Sequence, residues 1–275
     1  MKRSLGGHAG ALIAAAARGK HWPNRALNKA ARIFTAAHED RVEDPRFNGE
    51  LFLVEAMSRG GLDTVFDVGA NRGDWTDAVL RHSPSAHVHA FELSPRTAEP
   101  LAARFAGVDR VVVNPFGLSD AAGEVEFRDI PGASELNSLI VDNDLHAGRA
   151  STIATARVER GDAYCERNGI TQIDFLKVDA EGADHLVLRG FEEMFRSRRI
   201  RLVQFEYGYA SVYSRFLIQD HAEFFARFGY TIRPLRSRGV VDAPFSVTWN
   251  NFESGPNFVA MPKDDAKLLA LVAWR

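Results

Sequence analysis

The sequence is nearly free of cysteine and contains no long apolar run. Cys165 is the single cysteine among 275 residues, so no disulfide bond can form within the chain. The lack of disulfides fits a reducing compartment, and we therefore expect a cytoplasmic protein. No uninterrupted apolar stretch reaches the roughly 20 residues that a transmembrane helix needs, so we predict no membrane span.

An excess of charge of either sign is also missing. Lys and Arg total 34 and Asp and Glu total 36, which gives a formal net charge of −2 at pH 7. A dedicated nucleic-acid-binding protein would show a basic excess or a basic stripe. We therefore expect no nucleic-acid partner, and we interpret the local basic run between Arg196 and Arg201 as a solvated helix end.

The first 60 residues differ in composition and residue pattern from the rest of the chain. An Ala-rich stretch over residues 9–17 follows a basic start and weakly resembles a secretory leader, but further basic residues come directly after it. A short amphipathic helix is the favoured interpretation, and Pro23 and Pro45 are expected to interrupt the helical pattern. We predict a helical N-terminal extension over residues 1–60 and one α/β domain over residues 61–275.

From residue 63 onward, short apolar runs alternate with helical patterns. This alternation predicts a central, mostly parallel sheet with helices on both faces, because parallel strands are buried on both sides and connected by helices. A hairpin strand is predicted at Glu124–Arg128 and another short strand at Ala156–Glu159, and Asp162 is expected to cap the helix that begins at Ala163. The predicted strands of the main sheet are Thr64–Val68, His87–Phe91, Arg110–Val113, Ile173–Val178, Leu202–Glu206, Tyr230–Leu235 and Asn257–Met261.

The first predicted strand runs directly into a turn that contains Gly69 and Gly73. Glycines at a strand–helix junction let the backbone turn sharply and bring a ligand close to the N–H groups of the next helix, which begins near Trp75. A dinucleotide-binding fold would carry a glycine where this chain has Asn71. The side chain of Asn71 disfavours the close approach of the backbone to a pyrophosphate that such a glycine allows. Asp67 suits a ligand with an ammonium group; the alternative is an ordinary turn without a ligand.

Two further strand ends fit a nucleoside site. Glu92, followed by Leu93, ends the second strand about twenty residues past the glycines, where open α/β sheets hold a ribose through its hydroxyls. Leu118 and Ser119 follow the third strand, where a loop can surround the base of a nucleoside. A simple turn into the hairpin is an equally good interpretation of that last segment.

The fourth and fifth strands end in acidic residues. Lys177 lies inside an apolar strand and shares a face with Asp179, because side chains alternate along a strand. A buried lysine is costly without a partner, so we expect a carboxylate beside it. Glu181 follows two residues later, and Glu206 ends the next strand at the same edge of the sheet. These acids could deprotonate a hydroxyl or bind a divalent cation.

These motifs together resemble the FkbM-family methyltransferases. The order and spacing of Asp67–Gly73, Phe91–Glu92, Leu118–Asp120 and Leu176–Gly182 match that family, and the resemblance covers residues 60–262. The glycine loop alone is typical of any class I methyltransferase, whereas the Lys-x-Asp-x-Glu-Gly element indicates this family in particular. The resemblance implies a Rossmann-like class I methyltransferase fold and S-adenosylmethionine as the cofactor of the 61–275 domain.

The resemblance also implies roles for individual residues. Gly69 and Asn71 would hold the methionine part of the cofactor, Glu92 its ribose, and Leu118 with Ser119 its adenine. The full set expected to bind the cofactor is Asp67, Gly69, Asn71, Gly73, Trp75, Glu92, Leu93, Leu118, Ser119 and Asp179. The expected acceptor is a hydroxyl of a sugar, a glycan or a small natural product, which makes the chain an O-methyltransferase.

For the chemistry, we expect Asp179 or Glu181 to accept the proton of the hydroxyl, with Glu206 assisting and Lys177 tuning the local field. No metal ligands are assigned, although a divalent cation at these acids is an open alternative. An NAD-type oxidoreductase and a non-catalytic nucleoside-binding protein are the competing functions. The missing glycine pattern argues against the first, and the intact acids argue against the second.

The acceptor site is predicted more loosely. Its candidates are residues 134–155, the segment Tyr207–Tyr213, and the aromatic side chains of Phe245, Trp249 and Phe252, which could stack on a sugar face. These aromatics could equally cover the last strands of the sheet. The oligomeric state, including a homodimer, is left open.

Overall fold

A computed structural model describes residues 21–38, 44–132, 149–250 and 257–274, together with the single positions 10, 14, 17, 18, 42 and 139. Its helices are α1 (Trp22–His38), α2 (Glu50–Arg59), α3 (Asp74–His82), α4 (Pro95–Arg104), α5 (Gly161–Arg167), α6 (Asp184–Arg189), α7 (Glu192–Arg196), α8 (Ala210–Ser214), α9 (Ile218–Ala226) and α10 (Ala266–Val272), with a 3₁₀ turn at Val247–Asn250.

The strands form one large sheet and one small sheet. They are β1 (Thr64–Val68), β2 (His87–Phe91), β3 (Val111–Asn114), β4 (Gly117–Ser119), β5 (Gly123–Asp129), β6 (Thr152–Arg160), β7 (Ile173–Val178), β8 (Ile200–Glu206), β9 (Tyr230–Arg236), β10 (Gly239–Val240) and β11 (Asn257–Pro262). The large sheet has the order β10-β9-β11-β8-β7-β1-β2-β3, and the small sheet has the order β4-β6-β5.

The large sheet is parallel at its centre. β1 pairs in parallel with both β2 and β7, and β7 pairs in parallel with β8. β11 is antiparallel and lies between β8 and β9. The chain leaves β1 toward β2 and later returns to the other side of β1 as β7, so the strand order reverses between them. In open α/β sheets, ligands bind outside the carboxyl ends of the strands at such a reversal.

Alternate residues of β1 face two different hydrophobic cores. Phe66 and Val68 pack on one side of the sheet, in a core that includes Phe191 and Phe205. Val65 packs on the opposite side, in a core that includes helix α2. The sheet is therefore covered on both faces, as the alternation of apolar runs and helices predicts. Among the described residues, no helix is long and apolar enough to cross a membrane.

Helix α2 is a full part of the second core. Leu53, Val54, Ala56 and Met57 are buried completely, and they recur at the helical spacing that places them on one face. Helix α2 therefore docks onto the sheet through this face. At roughly 1.5–3 kcal/mol for each fully buried large aliphatic side chain, this face binds the helix firmly to the sheet.

Two local predictions need correction. Pro23 is not one of them, because it lies in the first turn of α1, where the helix begins and no N–H donor is needed. The carboxylate of Asp162 does not cap its own helix. It accepts hydrogen bonds from the backbone N–H groups of Glu193 and Met194, at 3.0 and 3.1 Å, and so caps the next helix, α7. Strand β6 begins at Thr152, earlier than the local pattern predicts.

Candidate active site

The glycine turn after β1 closes tightly against the neighbouring strands. The N–H groups of Gly69 and Ala70 both donate to the carbonyl oxygen of Phe91 at 3.0 Å. Gly69 has a φ of +80°, and a Cβ there would lie 1.9 Å from the carbonyl oxygen of Asp179. Only glycine fits this position, both for its φ and for the close approach. The turn therefore brings the ends of β1, β2 and β7 together.

The carboxylate of Glu92 stabilises this turn by accepting hydrogen bonds from two backbone N–H groups. One carboxylate oxygen accepts from the backbone N–H of Asn71 at 2.8 Å, and the other accepts from the N–H of Ser94 at 2.9 Å. Burial raises the pKa of Glu92 to about 6, although the two N–H donors work in the opposite direction. The carboxylate thus fixes the turn and keeps free lone pairs for ligand hydroxyls.

A cleft opens where these strands end. It encloses about 730 Å³ of empty space, including its part open to solvent, and it runs from the glycine turn to the residues after β7. Seven residues expected at the cofactor site or among the catalytic acids line it: Gly69, Asn71, Glu92, Leu93, Leu118, Asp179 and Glu181. Sequence reasoning did not single out its further lining residues Val68, Phe91, Gly117, Leu139, Ala180 and Val187.

Four residues of the expected cofactor set lie outside this cleft. Gly73, with a φ of +82°, begins helix α3 and packs against Phe105. Ser119 is buried, and its hydroxyl lies 3.3 Å from a carboxylate oxygen of Asp120. Trp75 lines a neighbouring cavity, and Asp67 is fully buried behind the turn.

Lys177 has the carboxylate neighbours that its burial requires. Its ammonium nitrogen lies 3.0 Å from Asp179 and 3.6 Å from Asp67. Asp67 and Lys177 are register partners on β1 and β7, so both side chains point to the same face of the sheet. Thr76 donates a hydrogen bond of 2.7 Å to Asp67. Asp67 is thereby engaged by two side chains of the protein itself.

The charges around Lys177 are balanced by a third acid, Glu50, which sequence reasoning missed. Burial disfavours the ammonium charge, but Asp179, Asp67 and Glu50 outweigh it and raise the lysine's pKa above its ordinary value. Glu50 begins helix α2 and accepts hydrogen bonds from Asn48 at 2.6 Å and Asn257 at 3.2 Å. Burial raises the pKa of Glu50 as well.

A second cavity lies on this side of the glycine turn. Its lining includes Glu50, Trp75, Lys177 and Asp179, and it shares Gly69, Asn71 and Asp179 with the main cleft. The two cavities therefore meet at Asp179. A ligand that extends past the glycine turn would reach charged groups of both signs there.

Three acids converge at the carboxyl ends of β7 and β8. One carboxylate oxygen from each of Asp179, Glu181 and Glu206 lies within 4.8 Å of the others. Glu181 adopts a left-handed backbone with a φ of +48°, which is uncommon for a residue with a side chain. The structure thus brings together the three acids that the sequence predicts at one edge of the sheet.

The protonation of this acidic group is uneven. Burial raises the pKa of Glu206 well above its ordinary value, and the charges of Asp179 and Glu181 raise it further. Behind it, burial together with the charge of Asp179 raises the pKa of Asp184 to about 7. Like charges this close disfavour simultaneous ionisation, so the acids of this group compete for charge and Glu206 is the one whose charged form is most disfavoured.

The acceptor candidates are only partly visible. Most of residues 134–155, and Phe252, lie outside the described residues. Tyr207 is fully buried in the core, whereas Tyr209 is exposed. The rings of Phe245 and Trp249 meet edge to face with centroids 5.5 Å apart.

The fold and the site together define the class. A parallel sheet whose strand order reverses beside a glycine turn, with a carboxylate at the end of the second strand, is the arrangement of an S-adenosylmethionine-dependent methyltransferase. The chain belongs to the FkbM family, because the family described as "Methyltransferase FkbM domain" matches residues 67–232.

Individual relatives are distant. Hexuronic acid methyltransferase AglP of Haloferax volcanii is 29% identical over 182 residues, which cover 65% of this chain and 72% of that protein. The 31-O-demethyl-FK506 methyltransferase FkbM of Streptomyces tacrolimicus is 30% identical over 193 residues, covering 58% and 73%. A solved Methyltransferase FkbM from Methylobacillus flagellatus KT aligns with a TM-score of 0.45 and 14% identity, over 72% of this chain and 43% of that chain.

The residues of the main cleft fit this cofactor. Gly69 lets the turn close against the backbone of Asp179, and Glu92 offers carboxylate oxygens of the kind that accept ribose hydroxyls. Leu93, Gly117 and Leu118 add an apolar wall suited to a base. The cleft thus combines a polar end and an apolar end, as an amphipathic nucleoside requires.

Proposed function

We propose that this protein transfers a methyl group from S-adenosylmethionine to a hydroxyl of a sugar, a glycan or a small natural product. The observation that carries this proposal is the convergence of Asp179, Glu181 and Glu206 at the mouth of the cofactor cleft. Relatives named for hexuronic acid and demethyl-FK506 support a hydroxylated acceptor. The donor cleft is proposed to lie in the 61–275 domain, with residues 1–60 as an extension.

The chain's own residues align the donor and the acceptor. When bound, S-adenosylmethionine supplies an activated methyl group on sulfur, so the protein contributes mainly by positioning. We assign the ribose end of the donor to Glu92 and its methionine end to Gly69 and Asn71. Of the expected cofactor residues, Asp67, Gly73, Trp75 and Ser119 support this site from behind or beside it.

A hydroxyl is a weak nucleophile until its proton is removed. Asp179 lies at the meeting point of the two cavities, and Glu181 lines the same cleft, so either carboxylate can accept this proton. We assign to Glu206, whose pKa burial and its acidic neighbours raise, a proton that it donates in a hydrogen bond to Asp179, which orients that carboxylate. The ammonium of Lys177 forms an ion pair with Asp179 at 3.0 Å and holds that carboxylate in place.

The same three acids have the ligand type that a divalent cation prefers. Their carboxylate oxygens converge closely enough to hold one. Bound metal would lower the pKa of a coordinated hydroxyl and so take over part of the base's task. The acids would then act as ligands, and activity would depend on added Mg²⁺.

The test combines donor binding with turnover. Calorimetry with S-adenosylmethionine should show binding in EDTA, and an acceptor screen over uronic acids, other sugars and polyols should release S-adenosylhomocysteine. Asp179→Asn and Glu181→Gln should still bind the donor. We expect one of them to turn over at least tenfold more slowly, since general base catalysis contributes roughly 10²–10⁴-fold.

Glu206→Gln is the matched control for charge. Glutamine keeps the neutral hydrogen bond that a protonated Glu206 makes, so we expect a smaller loss than at Asp179. Wild-type turnover in both Asp179→Asn and Glu181→Gln would contradict the assignment of the base. Turnover only with Mg²⁺ would replace the base by a metal site.

The cytoplasmic location and the absence of a nucleic-acid partner belong to the same proposal. The single cysteine, Cys165, is buried, and burial raises the pKa of its thiol to about 12. Such a thiol is inert, which is compatible with a reducing compartment. Fractionation of cells that express the full chain would test the location.

A further inference from the structure

Helix α1 (Trp22–His38) presents large apolar side chains to solvent. None of its residues is buried by the part of the chain that the structure describes. Trp22 is 74% exposed, Phe34 71%, Leu27 67% and Ile33 61%. Single exposed apolar residues are ordinary, but four large ones on a helix of 17 residues form a patch that needs a partner.

The helix is strongly amphipathic. With about 100° between successive residues, the four large apolar side chains fall on one half of the helix, together with most of its alanines. Arg25, Lys29 and Arg32 fall together on the other half, near Asn28 and Thr35. The helix contains no acidic residue.

The charge of the chain is divided unevenly around this helix. Residues 1–38 contain seven Lys and Arg and no Asp or Glu. Residues 39–275 therefore carry a formal net charge of −9, against +7 for the preceding segment. A basic amphipathic helix with aromatic and aliphatic residues on its other face is suited to an anionic lipid surface.

We propose that helix α1 binds in the plane of an anionic lipid membrane. Its apolar half lies among the acyl chains just below the headgroups, and its basic half faces the lipid phosphates. The three basic residues recur along one side of the helix, so all of them reach the headgroups at once, their aliphatic stems extending along the apolar surface. The methyltransferase domain is thereby held at the membrane.

Two other occupants fit this helix less well. Packing the apolar half of α1 against α1 of a second copy would bury the apolar side chains but leave both basic rows facing solvent, with no acidic residue on either helix to pair with them. A nucleic acid would use the basic row but leave the exposed Trp22, Leu27, Ile33 and Phe34 unburied. An anionic membrane satisfies both halves of the helix.

The experiment uses the full chain with vesicles of pure phosphatidylcholine and of a two-to-one mixture of phosphatidylcholine and phosphatidylglycerol. We expect cosedimentation with the mixed vesicles, weaker at high salt, and little with the neutral ones. Arg25→Gln/Lys29→Gln/Arg32→Gln should weaken binding at least tenfold, because each basic residue near the surface contributes.

A matched pair of variants separates insertion from simple charge attraction. Leu27→Glu/Phe34→Glu places two acids in the apolar half, whereas Asn28→Glu/Thr35→Glu places the same two charges in the polar half. The proposal predicts that the first pair loses at least tenfold more affinity than the second. Brominated lipid should quench the emission of Trp22, and Trp22→Phe should remove this quenching while binding persists.

Each contrary result has a definite meaning. Equal losses in the two acidic pairs, or vesicle binding that survives both, would overturn insertion of the apolar half. No vesicle binding, together with a dimer that dissociates in Leu27→Glu/Phe34→Glu, would assign the face to a second copy. Binding to a DNA duplex without binding to vesicles would assign the basic row to nucleic acid. Unchanged calorimetric binding of S-adenosylmethionine would show that every variant is folded.

Discussion

Asp184 shows how burial controls charge at the level of one residue. Its carboxylate accepts the backbone N–H of Gly182 at 3.1 Å, behind the acids of the cleft. Burial, followed by the charge of Asp179, raises its pKa from 3.8 to about 7. The folded protein therefore keeps a proton on Asp184 over a pH range in which the unfolded chain has lost it.

This difference makes stability depend on pH with a defined sign. Between about pH 4 and 7 the folded state binds more protons than the unfolded state, so the free energy of unfolding falls as pH rises. The stabilisation is complete below the unfolded pKa and is lost as pH rises through the folded one. In Asp184→Asn the slope should be shallower, by at most about 1.4 kcal/mol per pH unit.

Urea unfolding at several pH values across this window would measure both slopes. The comparison of variant with wild type removes the contribution of all other titrating groups. Parallel slopes in the two proteins would mean that Asp184 is ionised in the folded state at acidic pH. The buried carboxylate would then have a partner that compensates its charge.

At the level of the element, the turn after β1 depends on contact with β7. A Cβ on Gly69 would collide with the carbonyl oxygen of Asp179 at 1.9 Å. Gly61 has nearly the same φ, +82° against +80°, but a Cβ there meets nothing within 4 Å. An alanine at either position would suffer the same backbone strain, because both have a positive φ. Only at position 69 would its Cβ also collide with another part of the chain.

Alanine substitution at the two glycines therefore isolates the collision. Gly61→Ala should cost about 1–2 kcal/mol of unfolding free energy, from the left-handed backbone. Gly69→Ala should cost roughly 1–3 kcal/mol more, the range for forced overpacking. It should also lower the affinity for S-adenosylmethionine at least tenfold, whereas Gly61→Ala should bind normally by calorimetry. Equal effects of both substitutions would contradict the close approach of this turn to Asp179.

The elements differ in how well the sequence predicts them. The central strands are well predicted, because each is an apolar run that ends in a polar or glycine-containing turn. Strand β6 is predicted too short, because its first residues are recruited by pairing with β5 in the register Asp129 with Thr152. Asp162 is misassigned because two helix N-termini lie within its reach, and only the tertiary structure decides between them.

At the level of the whole molecule, the site is assembled from more than the family core. The family match covers residues 67–232. Glu50 precedes it and Asn257 follows it, yet their side chains meet at 3.2 Å close to Lys177. Local pattern predicts a carboxylate near Lys177 but not this one, because helical periodicity identifies the buried face of α2 without identifying its neighbour in space.

A double-mutant cycle tests whether α2 and β7 act as one unit. Lys177→Met leaves the buried carboxylates without their cation, which should cost about 3–5 kcal/mol of unfolding free energy. Without the lysine these carboxylates repel one another, and removing the charge of Glu50 relieves part of that repulsion. In the Lys177→Met background, Glu50→Gln should therefore be milder than in wild type, with a coupling of at least about 1 kcal/mol.

Glu55→Gln provides the control from the same helix. Its carboxylate is exposed and pairs with Arg59 at 2.8 Å on the surface, away from the core face. We expect less than about 0.5 kcal/mol of coupling between Glu55 and Lys177, as for independent sites. Urea denaturation of the four proteins in each cycle supplies both values. Equal coupling for Glu50 and Glu55 would show that α2 shares only hydrophobic contact with β7. The charge network around Lys177 would then end within the family core.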